Sequence, residues 1–320
     1  MRIQVNTLNS RILTDNPKIL DALYKLYSVK SPGYQYTRSY KNKHWDGSIH
    51  FISKTGSFKT GLLNSVLQDL DKVGITPELD YSSPITFKDR KFKNFKYYDY
   101  QETLILRALK DKRGVIKSPT GSGKTLIMAG LVKALAGRKM VLLFNAKQLL
   151  TQTYEFFTKS CSLDNIGICS GEGYIYGDIM LCTVQSIEKI LDTHLKETEI
   201  LMVDECHEFA NGKTTLAAIR SFPEAQYRIG FTATPPSQEI PKFNLEGALG
   251  PVWEVVDTYD LIDSGKLTKP VIQLIKRPYN ASGEDEDMSY GEVYDNYIVN
   301  NSDRNNIIKR IVNDIRQKNK

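Results

Sequence analysis

Apolar positions along this chain follow two rhythms, a mixed one over the front quarter and a strongly blocked one after it. Ile3, Val5 and Leu8 alternate in part and predict a short strand. Asn16-Pro17 then opens a segment in which Ile19, Leu20, Leu23, Leu26 and Tyr27 recur at helical spacing. Asn16 is suited to cap that helix, and Pro17 fits its first position, where the missing amide donor has no intrahelical partner anyway. Ser31-Pro32-Gly33 breaks the pattern, and His44 through Ile52 reads as a hairpin turning on Asp46-Gly47, a pair that tolerates positive φ. After a turn at 54–57, Leu63, Val66, Leu67, Leu70 and Val73 predict a second amphipathic helix. These features predict a small α+β domain over residues 1–85, and the polar, basic stretch 81–96 reads as its link to the remainder of the chain.

From residue 97 the rhythm changes. A helix carrying Leu104, Leu106, Ala108 and Leu109 leads to the short apolar run Val115-Ile116, and further runs occur at 140–144, 166–169, 179–182, 200–203 and 227–231. Continuous apolar runs of this length, separated by helical or loop stretches, predict a parallel sheet buried on both faces. In such an α/β sheet ligands gather at the carboxyl ends of the strands. The residues with chemistry in them do come directly after strands.

The first group is the loop Ser118, Pro119, Thr120, Gly121, Ser122, Gly123, Lys124, Thr125, between the run at 115–116 and a helix-like segment. Strand, glycine-rich turn and helix in this order form a phosphate-binding loop, whose backbone N–H groups and helix N-terminus cradle an anion. Lys124 is expected to reach the β- and γ-phosphates of ATP, and the Thr125 hydroxyl to ligate Mg2+. The pattern usually opens on Gly where this chain has Ser118, a residue small enough for the loop to close. The second group is Asp204-Glu205-Cys206-His207, delivered by the run 200–203. Asp204 is expected to hold Mg2+ with Thr125, Glu205 to orient and deprotonate the attacking water, and His207 to pass the phosphate state to a neighbouring loop. Gln101, close before the phosphate loop, is a candidate adenine reader with an aromatic nearby to stack on the base, because an amide can serve both edges of the ring. Thr232 and Thr234 form a further strand end bearing hydroxyls.

Composition narrows the setting. A length of 320 residues allows about two domains, and 41% hydrophobic with 25% charged residues fits a soluble globular chain. No apolar run approaches the roughly 18 residues needed to cross a bilayer, no secretory leader opens the chain, and no membrane partner is expected. Cys161, Cys169, Cys182 and Cys206 show no CxxC spacing, which predicts reduced thiols in a cytoplasmic protein. His44 and His50 lack companions at metal-ligand spacing. The net charge of +6 is concentrated at the front, where residues 1–99 hold 16 Lys/Arg against 9 Asp/Glu and the remainder 27 against 28. A cationic front joined to a nucleotide-binding unit implies a polyanion, of which nucleic acid is the commonest. Tyr34, Tyr36, Arg38, Tyr40, Lys41 and Lys43 interleave aromatic and basic side chains, with Trp45 close after them. They could grip phosphates and stack bases, or the tyrosines could be half-buried strand residues with the lysines in water.

The blocks, in this order, resemble the first motor domain of superfamily 2 DEAD/H-box helicases. The phosphate loop looks like motif I, 204–207 like the DEAD/H box of motif II, and Thr232-Ala233-Thr234 like motif III, which couples hydrolysis to movement; Gln101 matches the family's adenine-reading glutamine. The stretch 144–152, with Lys147 and Gln148, is similar to motif Ia, and Thr183, Gln185 and Ser186 to motif Ib; in the family both grip the phosphate backbone of the tracked strand. A basic front unit before such a motor is most similar to the UvsW-type helicases of tailed phages, which act on branched recombination and replication intermediates. The resemblance implies a RecA-like parallel sheet flanked by helices over 86–276, with Arg38, Lys41, Lys43 and Trp45 of the front domain on DNA. It also implies ATP and Mg2+ as cofactors, branched, forked or single-stranded DNA as partner, a monomer, and the host cytoplasm for a phage-encoded chain.

Beyond 276 the acidic run 284–287 reads as a solvated linker. Helical spacing returns at Tyr294 and Ile298 and continues from Ile307 to Ile315, with Asp303 as the expected N-cap. In the family a second motor domain comes next, bringing motifs IV to VI and arginines that contribute on the order of 10³ to 10⁵ in rate. These 320 residues are therefore expected to bind Mg-ATP and DNA, hydrolyse slowly and unwind little. A nucleotide-switched DNA-binding module, an RNA helicase and a translocase subunit of a restriction-type complex are the alternatives, the last requiring a nuclease or docking element that the sequence does not display.

Overall fold

The computed structural model describes residues 1–80, 96–194, 196–272, 274–275 and 288–318. Two units emerge, Met1–Thr268 and Lys269–Lys320.

The front of the first unit contains β1 (Arg2–Val5), β2 (Asn9–Leu13), α1 (Pro17–Leu26), β3 (Ser28–Lys30), α2 (Arg38–Lys41), β4 (Ser48–His50), β5 (Ser57–Lys59), α3 (Leu63–Asp71) and β6 (Glu78–Asp80). One sheet runs β5-β2-β1-β6, with β6 parallel to β1 and the other pairs antiparallel. Ile3 lies opposite Ile12 in the β1–β2 register, and both are buried with Leu23, Phe58, Leu62 and Val66. As expected, Asn16 caps α1, its side chain accepting from Lys18 N–H at 3.1 Å, and Pro17 occupies the first turn.

Two local expectations need correction. Residues 44–52 are not a hairpin: β4 pairs with β3, on the far side of the 31–47 loop. The Asp46 carboxylate accepts from Ser48 N–H at 2.8 Å and Gly47 takes φ +81°, so Asp-Gly turns the chain into β4 without joining two strands. Nor are the tyrosines of 34–43 strand residues, since a 3-10 turn over Tyr34–Tyr36 runs into α2.

The α/β part contains α4 (Asp99–Asp111), β7 (Arg113–Lys117), α5 (Lys124–Ala134), β8 (Met140–Phe144), α6 (Lys147–Glu155), β9 (Ile166–Ser170), β10 (Gly173–Ile175), β11 (Ile179–Thr183) and α7 (Glu188–His194). It continues through β12 (Ile200–Val203), α8 (Lys213–Arg220), β13 (Tyr227–Thr232), α9 (Glu239–Leu249), β14 (Val252–Trp253) and α10 (Thr258–Asp263). The eight strands run β10-β9-β11-β8-β12-β13-β7-β14, all parallel except β10. Every residue of β8, β11, β12 and β13 is buried, as the apolar runs predict. One core lies on each face of the sheet. Leu106, counted among the apolar positions of α4, is 47% exposed, because the buried stripe passes through Leu104, Ile105, Ala108 and Leu109. All four cysteines are free and buried in this part.

The front and the α/β part share a seam. The ring of Phe243 on α9 packs on Tyr27 and Phe51, with centroids 5.6 and 4.9 Å away, and Arg113 donates to the carbonyl of Thr7. The second unit holds α11 (Tyr290–Tyr294), a π turn to Val299, and α12 (Ser302–Lys318). Asp303 lies inside α12; the capping contact comes from Asn301, whose side chain accepts from Arg304 N–H at 3.0 Å. All but the last residue of the expected link 81–96, and the acidic run 284–287, lie outside the described residues.

Candidate nucleotide site and nucleic-acid interface

Because β8, β12, β13 and β7 are parallel neighbours, their carboxyl ends line one edge of the sheet. The phosphate loop leaves β7 there, the acidic pair leaves β12, and Thr232 ends β13 opposite Lys117 in register.

The loop's shape comes from its small residues. Gly121 and Gly123 adopt φ +83° and +84°, the left-handed region open to glycine. Ser118 supplies what a glycine could not: its hydroxyl lies 2.5 Å from that of Ser122, which in turn donates to the carbonyl of Pro119 at 2.5 Å. Ser118 N–H donates to the carbonyl of Thr232 at 2.9 Å, tying the loop to β13. Gln101 braces the loop from below. Its amide nitrogen donates to the Ser122 carbonyl at 2.9 Å, its amide oxygen accepts from Tyr98 N–H at 3.0 Å, and it is 2% exposed. Both ends of the amide are thus engaged inside the protein, so Gln101 reaches an adenine only by exchanging these partners. Beside it a cavity of about 450 Å³ is lined by Tyr98, Gln101, Leu126 and Lys266. Tyr98 is 48% exposed there, with the Lys266 ammonium 5.0 Å from its ring centroid.

Lys124 and Glu205 form an ion pair, so loop and acids meet directly. Glu205 holds a left-handed backbone, φ +43° and ψ +47°, uncommon outside glycine. Asp204 behind it has a buried Oδ1 with no hydrogen-bond partner, and burial pushes its carboxyl up while Lys124 pulls it back. A buried carboxylate oxygen without a donor is a poor arrangement in an apolar strand end and a good one beside a cation. The chemistry of the buried Asp204 carboxylate therefore fits a hard divalent ion. From Glu205 a polar chain runs on: its other oxygen is 3.5 Å from His207 Nδ1, the same nitrogen lies 2.8 Å from the Thr232 hydroxyl, and that hydroxyl accepts from Thr234 N–H at 3.0 Å.

The expected DNA-gripping residues divide. Lys147, Gln148 and Gln185 are exposed, with Lys147 paired to Glu172 and the Gln185 amide donating to the Asn145 carbonyl at 3.3 Å. Thr183 and Ser186 are buried, and the first hydroxyl donates to the second at 3.1 Å across the 3-10 turn that ends β11. Their side chains brace that turn and present no hydroxyl to a ligand. In the front domain Arg38, Lys41 and Lys43 are exposed, whereas Trp45 is half-buried and donates from its indole to the Ser48 carbonyl at 2.8 Å.

Several known proteins are similar to this chain. Residues 94–237 match the family model of the res subunit of type III restriction enzymes. The chain is 22% identical to the ATP-dependent DNA helicase UvsW of Enterobacteria phage T4 over 79% of its own length and 55% of that protein. It is 31% identical to the DNA 3'-5' translocase XPB2 of Sulfurisphaera tokodaii, over 43% of this chain and 30% of the relative. The crystal structure of the bacteriophage T4 UvsW helicase superposes with a TM-score of 0.65 at 17% identity, covering 79% of this chain and 99% of that one. The chain is thus similar to the UvsW helicase over most of its length and shares that protein's fold. It spans about half or less of the length of these curated relatives. The loop that resembles motif I is thus braced by Gln101, it meets the acids that resemble motif II through Lys124 and Glu205, and those acids reach the stretch that resembles motif III through His207. The Ser118–Ser122 hydroxyl pair, the Tyr98–Lys266 cavity and the Asn145–Glu208 contact carry no signature in the motifs. Only the aromatic cluster just before Gln101 hinted at the second. Among the described residues no helix is long and apolar enough to cross a membrane.

Proposed function

We propose that the chain is the nucleotide-binding half of an ATP-dependent DNA helicase or translocase acting on branched DNA. On this reading residues 1–85 engage DNA, 86–276 form the first motor domain, and 277–320 lead toward a second. The observation that carries it is the Lys124–Glu205 ion pair beside the unpartnered Asp204 oxygen, since it unites a phosphate loop with two acids at one sheet edge.

The chemistry is set by what those groups can exchange. A triphosphate in the loop offers Lys124 a stronger anionic partner than Glu205, so the ammonium transfers to the β- and γ-phosphates and the carboxylate is released. Glu205 is then free to orient a water in line with the γ-phosphate and to accept its proton. Thr125 and Asp204 would hold Mg2+, which supplies neutralising charge to the phosphate oxygens. Release of Glu205 also alters the carboxylate facing His207, and through Thr232 the change reaches Thr234, a route by which phosphate state could act on bound DNA. Tyr98 and Lys266 are the groups we assign to the base, with Gln101 in reserve once its partners exchange.

The test is ATP turnover by the 320-residue chain alone and with single-stranded, duplex and forked DNA, or RNA of the same sequences. Stimulation by DNA is expected, greatest with forked DNA. Lys124→Ala is expected to lose about 10²-fold or more of turnover. Glu205→Gln should still bind nucleotide but lose hydrolysis, because an amide cannot take the proton. Turnover indifferent to every nucleic acid would overturn the motor reading, and unchanged turnover in Lys124→Ala would overturn the site. Nucleotide-dependent DNA affinity without turnover would instead favour a switched binding module.

A further inference from the structure

The front loop between β3 and β4 is built to display one side chain. Between Asp21 and Asp46 the chain has no acidic residue, while Lys25, Lys30, Arg38, Lys41 and Lys43 fall within it. Tyr36 sits at the end of the 3-10 turn and is 76% exposed, an uncommon position for a large ring within a loop that is otherwise internally tied. Tyr36 N–H donates to the Gly33 carbonyl at 3.0 Å, and Ser31 N–H to the Gly47 carbonyl at 2.8 Å. The Thr37 hydroxyl donates to the Tyr34 carbonyl at 2.8 Å and caps α2. Tyr34 and Tyr40 lock edge to face with centroids 4.8 Å apart, and the Lys30 ammonium lies 5.1 Å from the Tyr34 centroid. A side chain at Gly47 would collide with the Tyr34 ring, so the turn fits this aromatic bracket closely. Tyr34 and Tyr40 are spent on the scaffold; Tyr36 is not. In the same loop, exposed Arg38, Lys41 and Lys43 form no ion pair among the described residues.

We propose that Tyr36 is a base-stacking residue that recognises an unpaired nucleotide next to a duplex, with Arg38, Lys41 and Lys43 holding the flanking phosphates. This rests on the reading that the front domain engages DNA, and deepens it by assigning branch discrimination to one ring. The physical basis is a division of labour. Phosphate contacts are indifferent to whether bases are paired, whereas a flat ring standing clear of the protein gains only from a base whose face is open. The bracket fixes the backbone of the turn before DNA arrives, so little backbone ordering is required on binding.

Equilibrium binding of the 320-residue chain is measured by fluorescence anisotropy on blunt duplex, single strand and forked DNA, at several salt concentrations. A 2-aminopurine at the first unpaired position of the fork reports stacking. Tyr36→Ala is expected to weaken forked DNA about tenfold and to abolish the 2-aminopurine quench, with duplex affinity unchanged. Tyr36→Phe should keep both, since stacking uses the ring face and not the hydroxyl. Arg38→Ala with Lys41→Ala is expected to weaken all three DNAs alike and to flatten the salt dependence by roughly one per cation. If Tyr36→Ala changes nothing, or weakens duplex as much as fork, while the charge variants lose affinity, the stacking assignment is wrong and the DNA-binding reading stands. If neither set has an effect, the front-domain reading itself fails. Tyr36 is exposed, so matching circular dichroism spectra suffice to show that the variants are folded.

Discussion

At Gly123 two independent constraints meet, a backbone φ of +84° and the Gln101 amide lying where a Cβ would go. Gly123→Ala should therefore cost about 1–3 kcal/mol in stability through backbone strain. It should also push Gln101 from the Ser122 carbonyl, loosening the loop, so a lower Tm and weaker ATP binding are expected together by calorimetry. The polar members of the candidate site were legible in the sequence because their chemistry is local: Lys124 and Thr125 close a glycine-rich turn, and Asp204 and Glu205 stand side by side at a strand end. What those residues touch was not legible. The bonds of Gln101 to Ser122 and of Ser118 to Thr232 join positions far apart in the chain, and nothing in residue type distinguishes an amide reading a base from one bracing a loop. The same blindness affected Thr183 and Ser186, whose hydroxyls serve a buried turn.

Among elements, the strands that could be read from the sequence are those buried on both sides, where continuous apolar runs leave no other reading. Within the eight-stranded sheet two strands had no such mark. The three residues of β10 are all exposed, and β14 is only two residues long. Yet β14 carries Trp253, 1% exposed, whose indole fills the space left by the absent side chain of Gly114, with the Arg107 guanidinium 5.1 Å from the ring. Trp253→Ala is expected to cost about 3–5 kcal/mol, because the surrounding sheet and α4 can close such a space only in part. Chemical denaturation would show this as a lower midpoint with an unchanged slope. The apparent hairpin at 44–52 failed for a related reason: Asp-Gly marks a turn, but which strand the chain then joins is decided by a partner across the 31–47 loop.

In the molecule as a whole, the change of rhythm at residue 97 marks a compositional boundary that the packing crosses. Phe243 of α9 sits against Tyr27 and Phe51, and Glu246, one turn further along α9, is 8% exposed. Burial pushes the Glu246 carboxyl up, with Lys242 opposing. A carboxyl raised in the folded state binds its proton more tightly there than in the unfolded chain, so its contribution to stability falls as pH rises through the ordinary glutamate range and beyond. Glu246→Gln is accordingly expected to raise Tm at neutral pH, with the gain vanishing once the medium is acidic enough to protonate a free glutamate. A seam of this kind leaves no periodic trace, which is why composition alone suggested a front domain merely linked to the rest of the chain.

The four thiols have a consequence for handling the protein. Burial pushes Cys161 up to about 11 and raises Cys169, Cys182 and Cys206 as well, so the native fold offers scarcely any thiolate to an alkylating reagent. Modification must await an opening of the eight-stranded sheet, which turns these sulfurs into built-in clocks of its breathing: Cys169 and Cys182, neighbours across β9 and β11, time the outer half, and Cys206, just behind the acidic pair, times the edge where the strands end.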